Sequence, residues 1–394
     1  MQAPDRTPVI ERALLGYTVV VVALLTLSPF RFAWPETWGI SWWSDRGDAP
    51  ANFLLFLPVG YFFRLALPRR YPRAILSAWL FGTGISVILE TVQWFLPSRV
   101  TSLFDVLGNG FGGAAGAILC NAVRRRLDRT LPAVLTLEHP LLNLVYLTLP
   151  LMWLAGVGIE ATPARVWLLA PLGAVGALTL TGLWRYRLAG AAIPRPALAF
   201  AVLGWFLFGA VAGLPFAPHI VAQCAAAVFA LTLMLLYVRG PVRHPGSRFE
   251  HKVLATLWPC YIAYLLMLVL WPHTGPFMAF DFALGYPEYG FDRAFTIRIA
   301  EQMGALTLFG YLLAESCGRS EHAHRTLLAR NIAISAACAL ILEILHGFLA
   351  GDRASIARWL LGTIAAGFGV MLYMAQLNVV VVLRGDLSRP NAES

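Results

Sequence analysis

Apolar runs of about 17 to 25 residues, the length that crosses a hydrocarbon core of roughly 30 Å, follow one another along the whole chain and leave no room for a soluble domain. Lipid offers no partner to a main-chain amide, so segments of this kind must satisfy their own hydrogen bonds, as helices do. The fold class expected is therefore all-α, a polytopic transmembrane helical bundle of about 12 spans. The runs fall near 13–30, 52–67, 74–95 and 102–123, then 141–159, 166–183, 197–216 and 220–238, then 253–271, 299–315, 331–349 and 358–383. Composition agrees: 58% of residues are hydrophobic and 13% charged, against about 25% charged in soluble domains. The first run follows charged residues and is not followed by a small-residue cleavage site, so it is expected to be a retained span, not a signal peptide.

A net charge of +9 invites a nucleic-acid reading, but the basic residues sit in short loops between apolar runs, where membrane topology explains them better. On the side of the N-terminus the loops hold 21 basic residues, and on the other side 8. That bias predicts an inner-membrane protein with both termini in the cytoplasm and the turn at 96–104 facing outward, with no nucleic-acid partner. Arg64, near the inner end of the second span, is expected to snorkel toward the headgroups. The loop at 31–51 carries Trp34, Trp38, Trp42 and Trp43, which fit an interfacial collar, with a sugar-stacking platform as the sharper alternative. Five scattered cysteines without a CxxC spacing suggest neither a disulfide framework nor a metal site, and no cofactor is expected.

Polar side chains converge on one turn. Glu90 and Gln93 share a helix face on the third span, Asp105 and Asn109 share one on the fourth, and Arg99 lies in the connection between them. An ionisable residue in an apolar chain requires a partner or water, so this group is the candidate site. An antiparallel hairpin brings the two faces together, where Arg99 can pair with a carboxylate in bidentate fashion. Gly108, Gly112 and Gly116 form a small-residue ridge that lets another helix approach closely. Asn52 opens the second span, which also carries Pro58 and Gly60.

The polar turn has a weaker twin. Phe56 to Tyr61 lines up with Leu306 to Tyr311, and Ile88 to Leu96 with Ile341 to Leu349. Within that second match Gln93 becomes His346; past a one-residue insertion, Arg99 meets Arg353, Gly108 meets Gly362 and Gly113 meets Gly367, while Asp105 becomes Trp359 and Asn109 becomes Thr363. About eight spans separate equivalent positions, so the expected internal repeat, of about 4 spans, is parallel: both copies have the same orientation across the membrane. Gln302, Glu343, His346 and Arg353 are the second-copy equivalents of the polar cluster. Domains are expected at 10–126, 127–250 and 251–383, with a cytoplasmic tail at 384–394.

The pattern Asn52-x-x-Leu55-Phe56-x-Pro58-x-Gly60, Glu90-x-x-Gln93-x-Phe95-x-Pro97-x-Arg99 and Asp105-Val106-x-x-Asn109-x-x-Gly112 resembles the VanZ-like family of bacterial membrane proteins. The likeness covers residues 10 to 125 well and 250 to 383 more weakly. It implies a cell-envelope protein, in a family named for an accessory factor in resistance to the glycopeptide teicoplanin, and it supplies no reaction. Carried over position by position, its polar signature falls on Asn52, Glu90, Gln93, Arg99, Asp105 and Asn109.

The residues leave three readings of the cluster: a buried ion pair that fixes the hairpin, a ligand site, or an acid and base in catalysis. No serine–histidine–aspartate order, HExxH, phosphate-cradling loop or aspartate-rich metal motif accompanies it. Binding without catalysis is the leading expectation, the partners being the bilayer and lipid-linked envelope intermediates or glycopeptides. A transporter or lipid flippase is the alternative, and a membrane-embedded hydrolase or transferase the third.

Overall fold

A computed structural model describes residues 9–27, 32–35, 39, 41–42, 48–68, 71–97, 101–130, 139–157, 163–188, 193–242, 249–273, 275–285, 293–317 and 324–388. Among these the chain forms helices α1 (Val9–Leu27), α2 (Asp48–Ala66), α3 (Ala74–Gln93), α4 (Leu103–Thr130), α5 (His139–Val157), α6 (Leu169–Leu183), α7 (Arg195–Ala210), α8 (Pro218–Val238), α9 (Phe249–Leu270), α10 (Arg293–Ser316), α11 (His324–His346) and α12 (Ile356–Ser388). Two two-residue strands, β1 (Phe282–Ala283) and β2 (Ala354–Ser355), pair in parallel. Each apolar run of the sequence is a helix, its ends shifted by at most about seven residues, and nine described segments are long and apolar enough to cross a bilayer. The protein is an all-α, multi-pass membrane protein.

Two compact units divide the chain: residues 1–132 with 290–297, and residues 133–289 with 298–394. In the first, α2 and α4 make the most extensive pairing, α3 lies along α4, and α1 along α2. Glycine sets the α2–α4 distance. A Cβ on Gly60 would land on the Gly113 carbonyl, one on Gly112 on the Phe53 carbonyl, and one on Gly116 on the Leu57 carbonyl and the Tyr61 amide. The ridge read from the sequence thus presses on α2 through Gly112 and Gly116. Val22, Phe56, Val59 and Leu89 form a small core between α1, α2 and α3, flanked by Leu15, Val19, Phe81 and Ile85. The opposite face of α3, with Ile75, Leu80, Val87 and Ile88, is exposed, as a lipid-facing surface must be.

Arg64 departs from the sequence expectation. It is 5% exposed and turns inward, where its Nε donates to Asn121 Oδ1 of α4 at 2.7 Å and a terminal nitrogen donates to the Pro68 carbonyl at 3.2 Å. Acceptors supplied by α4 and by the end of α2 hold the guanidinium inside, so it does not snorkel outward.

In the second unit α6 is the central helix, with Val166, Leu168, Leu169, Leu172 and Val175 of its entry and first turns fully buried. A 3-10 turn (Pro163–Leu168) leads into it and a π-type turn (Trp184–Leu188) leads out. Tyrosines fill the rest. Tyr311 of α10 packs edge-on against Tyr373 of α12, ring centres 5.6 Å apart, and its hydroxyl donates to the Pro140 carbonyl at 3.1 Å. Here too glycine brings helices together: a Cβ on Gly310 would meet the Ala366 carbonyl, and one on Gly369 the Thr307 carbonyl and the Tyr311 amide.

Candidate polar site at the helical hairpins

The first hairpin joins α3 to α4 through residues 94–102. Glu90, Gln93, Asp105 and Asn109 are all at least nine-tenths buried there. Ser102 is the N-cap of α4: its hydroxyl accepts from the Phe104 amide at 3.2 Å, satisfying a donor that the helix leaves unpaired. The Ser102 amide in turn donates to Glu90 Oε2 at 3.1 Å, and the Thr101 hydroxyl donates to the Glu90 carbonyl at 3.2 Å. Gln93 Nε2 donates to the Thr26 carbonyl of α1 at 3.0 Å, which ties a third helix to the hairpin. Asn109 Nδ2 donates to Ser86 Oγ at 2.8 Å, and its buried Oδ1 has no hydrogen-bond partner among the described residues.

Asn52 is half-buried at the start of α2, beside the Phe53 carbonyl that seats Gly112. Arg99, with Trp38 and Trp43 of the aromatic loop, lies outside the described residues. The loop's described part runs against the hairpin. Ala33 N donates to the Phe95 carbonyl at 2.7 Å, Ser41 bridges to Ser102, and the Trp34 ring sits 5.6 Å from that of Phe95.

The second hairpin, in the other unit, joins α11 to α12 through residues 347–355. Glu343 is 2% exposed and fully engaged. Its Oε1 accepts from Gln302 Nε2 at 2.9 Å, its Oε2 from the Ser355 amide at 3.1 Å, and Arg358 binds it through Nε at 3.1 Å and Nη2 at 3.1 Å. Arg358 Nη1 also reaches Asp352 Oδ1 at 3.1 Å. Such fork-like pairing, with the remaining lone pairs hydrogen-bonded, is what allows a carboxylate to be buried. His346 stands 3.8 Å from both Glu343 and Asp352, in range of their charge but beyond a hydrogen bond. Gly351, at φ 81°, takes the left-handed conformation that lets this turn reverse. The loop before α10 meets this hairpin through β1 on β2, with Met278 N donating to the Phe348 carbonyl at 2.8 Å and the Phe280 ring 5.3 Å from that of Phe348.

Arg353, the residue the sequence aligns with Arg99, pairs with Asp281 at 2.7 Å, half-exposed at the turn, and the arginine on Glu343 is Arg358. The same sequence separation joins Glu90 to Glu343, Ser102 to Ser355 and Gly116 to Gly369, with no insertion between. At that spacing Asp105 falls opposite Arg358, and Arg99 opposite Asp352. Gln302 is bonded to Glu343, and His346 stands beside it.

Sequence reasoning also missed Ser86, Thr101 and Ser102. The signal was present: Ser86 lies one helical turn before Glu90, and Ser102-x-x-Asp105 is a capping pattern. A second buried pair, Arg165 with Glu301 at 2.7 Å, gave no such signal, because its members are far apart in the chain. Among the described residues no group of three or more His, Cys, Asp and Glu side chains is placed to hold a metal ion. Truncating Ser86 to alanine leaves both ends of the buried Asn109 amide unpaired, and is expected to destabilise the protein by about 1–3 kcal/mol. A melting curve of the purified variant in detergent measures this, and an unchanged melting temperature contradicts the bond.

Residues 8–124 match the VanZ/LLP1 family model. No curated protein and no solved structure matches the chain.

Proposed function

For a membrane protein whose first third is a VanZ-like domain, we propose a binding role in the bacterial cell envelope, without chemistry of its own. The hairpin at 94–102 is the ligand face, turned outward from an inner membrane that holds both termini on its cytoplasmic side. Its ligand is a polar cell-wall or lipid-linked component, of the kind that a glycopeptide-resistance role would involve. Asn52, Glu90, Gln93, Arg99, Asp105 and Asn109 form the site. The observation that carries this reading is the buried Asn109 Oδ1, an acceptor without a protein partner among the described residues, on an amide bonded to Ser86 one helical turn before the anchored Glu90. A buried acceptor in that state gains most from a ligand hydroxyl or amide.

The test is a deletion strain complemented with Glu90→Gln or Arg99→Ala at normal expression. Both variants are expected to lose protection against lipoglycopeptide or envelope stress. Full protection by either removes the reading.

A second reading, a transporter or lipid flippase, is favoured by one observation: Glu343 receives the Ser355 amide as Glu90 receives the Ser102 amide. We take residues 10–126 and 251–383 as parallel repeats, an arrangement found in carriers. Transport predicts movement of an envelope lipid between leaflets of reconstituted vesicles, abolished equally by Glu90→Gln and Glu343→Gln. A binder predicts no movement.

A further inference from the structure

At the other end of α3 and α4 from the hairpin, a cleft of about 630 Å³ opens in the first unit, a volume in the range of small-molecule sites. Among the described residues four arginines line it, Arg64, Arg73, Arg124 and Arg125, together with Tyr71 and Asn121, and no aspartate or glutamate is among those described lining residues. Two of the arginines are fixed by the fold. Arg64 is buried against Asn121, and Arg124 donates to the carbonyls of Leu65 at 2.8 Å and Arg64 at 3.4 Å, at the end of α2. Arg73 and Arg125 are exposed at the rim.

Guanidinium groups gathered in one concavity repel each other unless an anion sits among them, and their planar forks match the oxygens of a phosphate. The first turn of α3 lines the same cleft through Ala74, Ile75 and Leu76, and its N-cap residue Arg73 makes no side-chain capping bond. Its amides and dipole add to the positive potential. Beside this polar floor the wall is apolar: Ile75 and Leu76 are exposed, and Leu80 continues the exposed stripe along α3.

We propose that this cleft binds a phosphate group, with the chain of a phosphate-headed lipid lying along the Ile75, Leu76 and Leu80 face. The site is separate from the hairpin and stands whether or not the hairpin binds a ligand.

Native mass spectrometry of the purified full-length protein, titrated with phosphatidylglycerol or phosphatidylcholine, tests it. Wild type is expected to retain phosphatidylglycerol in preference to phosphatidylcholine, and the rim variant R73Q/R125Q to bind it about tenfold more weakly or worse. The pair R239Q/R330Q, in the other unit and equally reduced in charge, is expected to bind as wild type does. Both rim side chains are exposed, so an unchanged melting temperature certifies the fold of R73Q/R125Q. Inorganic phosphate separates the two sources of the group. Displacement of the lipid by millimolar phosphate supports recognition of the phosphate alone, and resistance to it supports recognition of headgroup and chain together. Binding retained by R73Q/R125Q, or lost equally in R239Q/R330Q, or absent for both lipid and phosphate, overturns the proposal.

Discussion

Replacing Arg358 with methionine is expected to lower the melting temperature of the purified protein more than any other single side-chain change in the second unit. Glu343 is 2% exposed and receives two bonds from Arg358. Without them a charge stays buried, hydrogen-bonded among the described residues by Gln302 and the Ser355 amide alone. Breaking a buried pair by removing one partner typically destabilises by about 3–5 kcal/mol, because the other charge keeps its desolvation penalty. The double variant Arg358→Met with Glu343→Gln removes that penalty and is expected to recover a substantial part of the loss, with a coupling of about 1–3 kcal/mol in a double-mutant cycle. Additive effects of the two substitutions, or an unchanged melting temperature for Arg358→Met, contradict the buried pairing of Arg358 with Glu343.

Gly116→Ala is the second large effect. The added methyl carbon has backbone in its way, the Leu57 carbonyl and the Tyr61 amide, and neither can rotate aside as a side chain does. Overpacking of this kind is worth about 1–3 kcal/mol where neighbours can shift, and more is expected where two helix backbones must separate. Gly60→Ala pushes the same two helices apart at the Gly113 carbonyl, so the two substitutions together should destabilise by less than their sum. Gly84→Ala is the control. Nothing lies within 4 Å of its added carbon, and alanine is the better helix former by about 1 kcal/mol. Melting curves that show Gly116→Ala as harmless as Gly84→Ala would refute the close α2–α4 contact.

The helices were legible in the chain because the bilayer imposes a length, and the runs 74–95 and 220–238 end where α3 and α8 end, to within two residues. The polar face of the first hairpin was legible too, since Glu90 with Gln93 and Asp105 with Asn109 follow helical spacing. The partner of Glu343 was not legible. Matching identical letters, Arg99 to Arg353 and Gly113 to Gly367, requires an extra residue, whereas the arginine bound to Glu343 in space is Arg358, fifteen residues after it. Charge pairs are selected in space, so identical letters do not find them. Arg165 with Glu301 was invisible for a related reason: no sequence period links a 3-10 turn to a helix so far downstream.

The bond that anchors each glutamate has a consequence for inheritance. Its donor at 102 and at 355 is a main-chain amide, which every amino acid but proline supplies. Point mutation can therefore change the serine side chains, and with them the helix caps, without touching that donor. A proline codon at either position would delete it in one step, so lineages can drift widely at these two sites while avoiding that one residue.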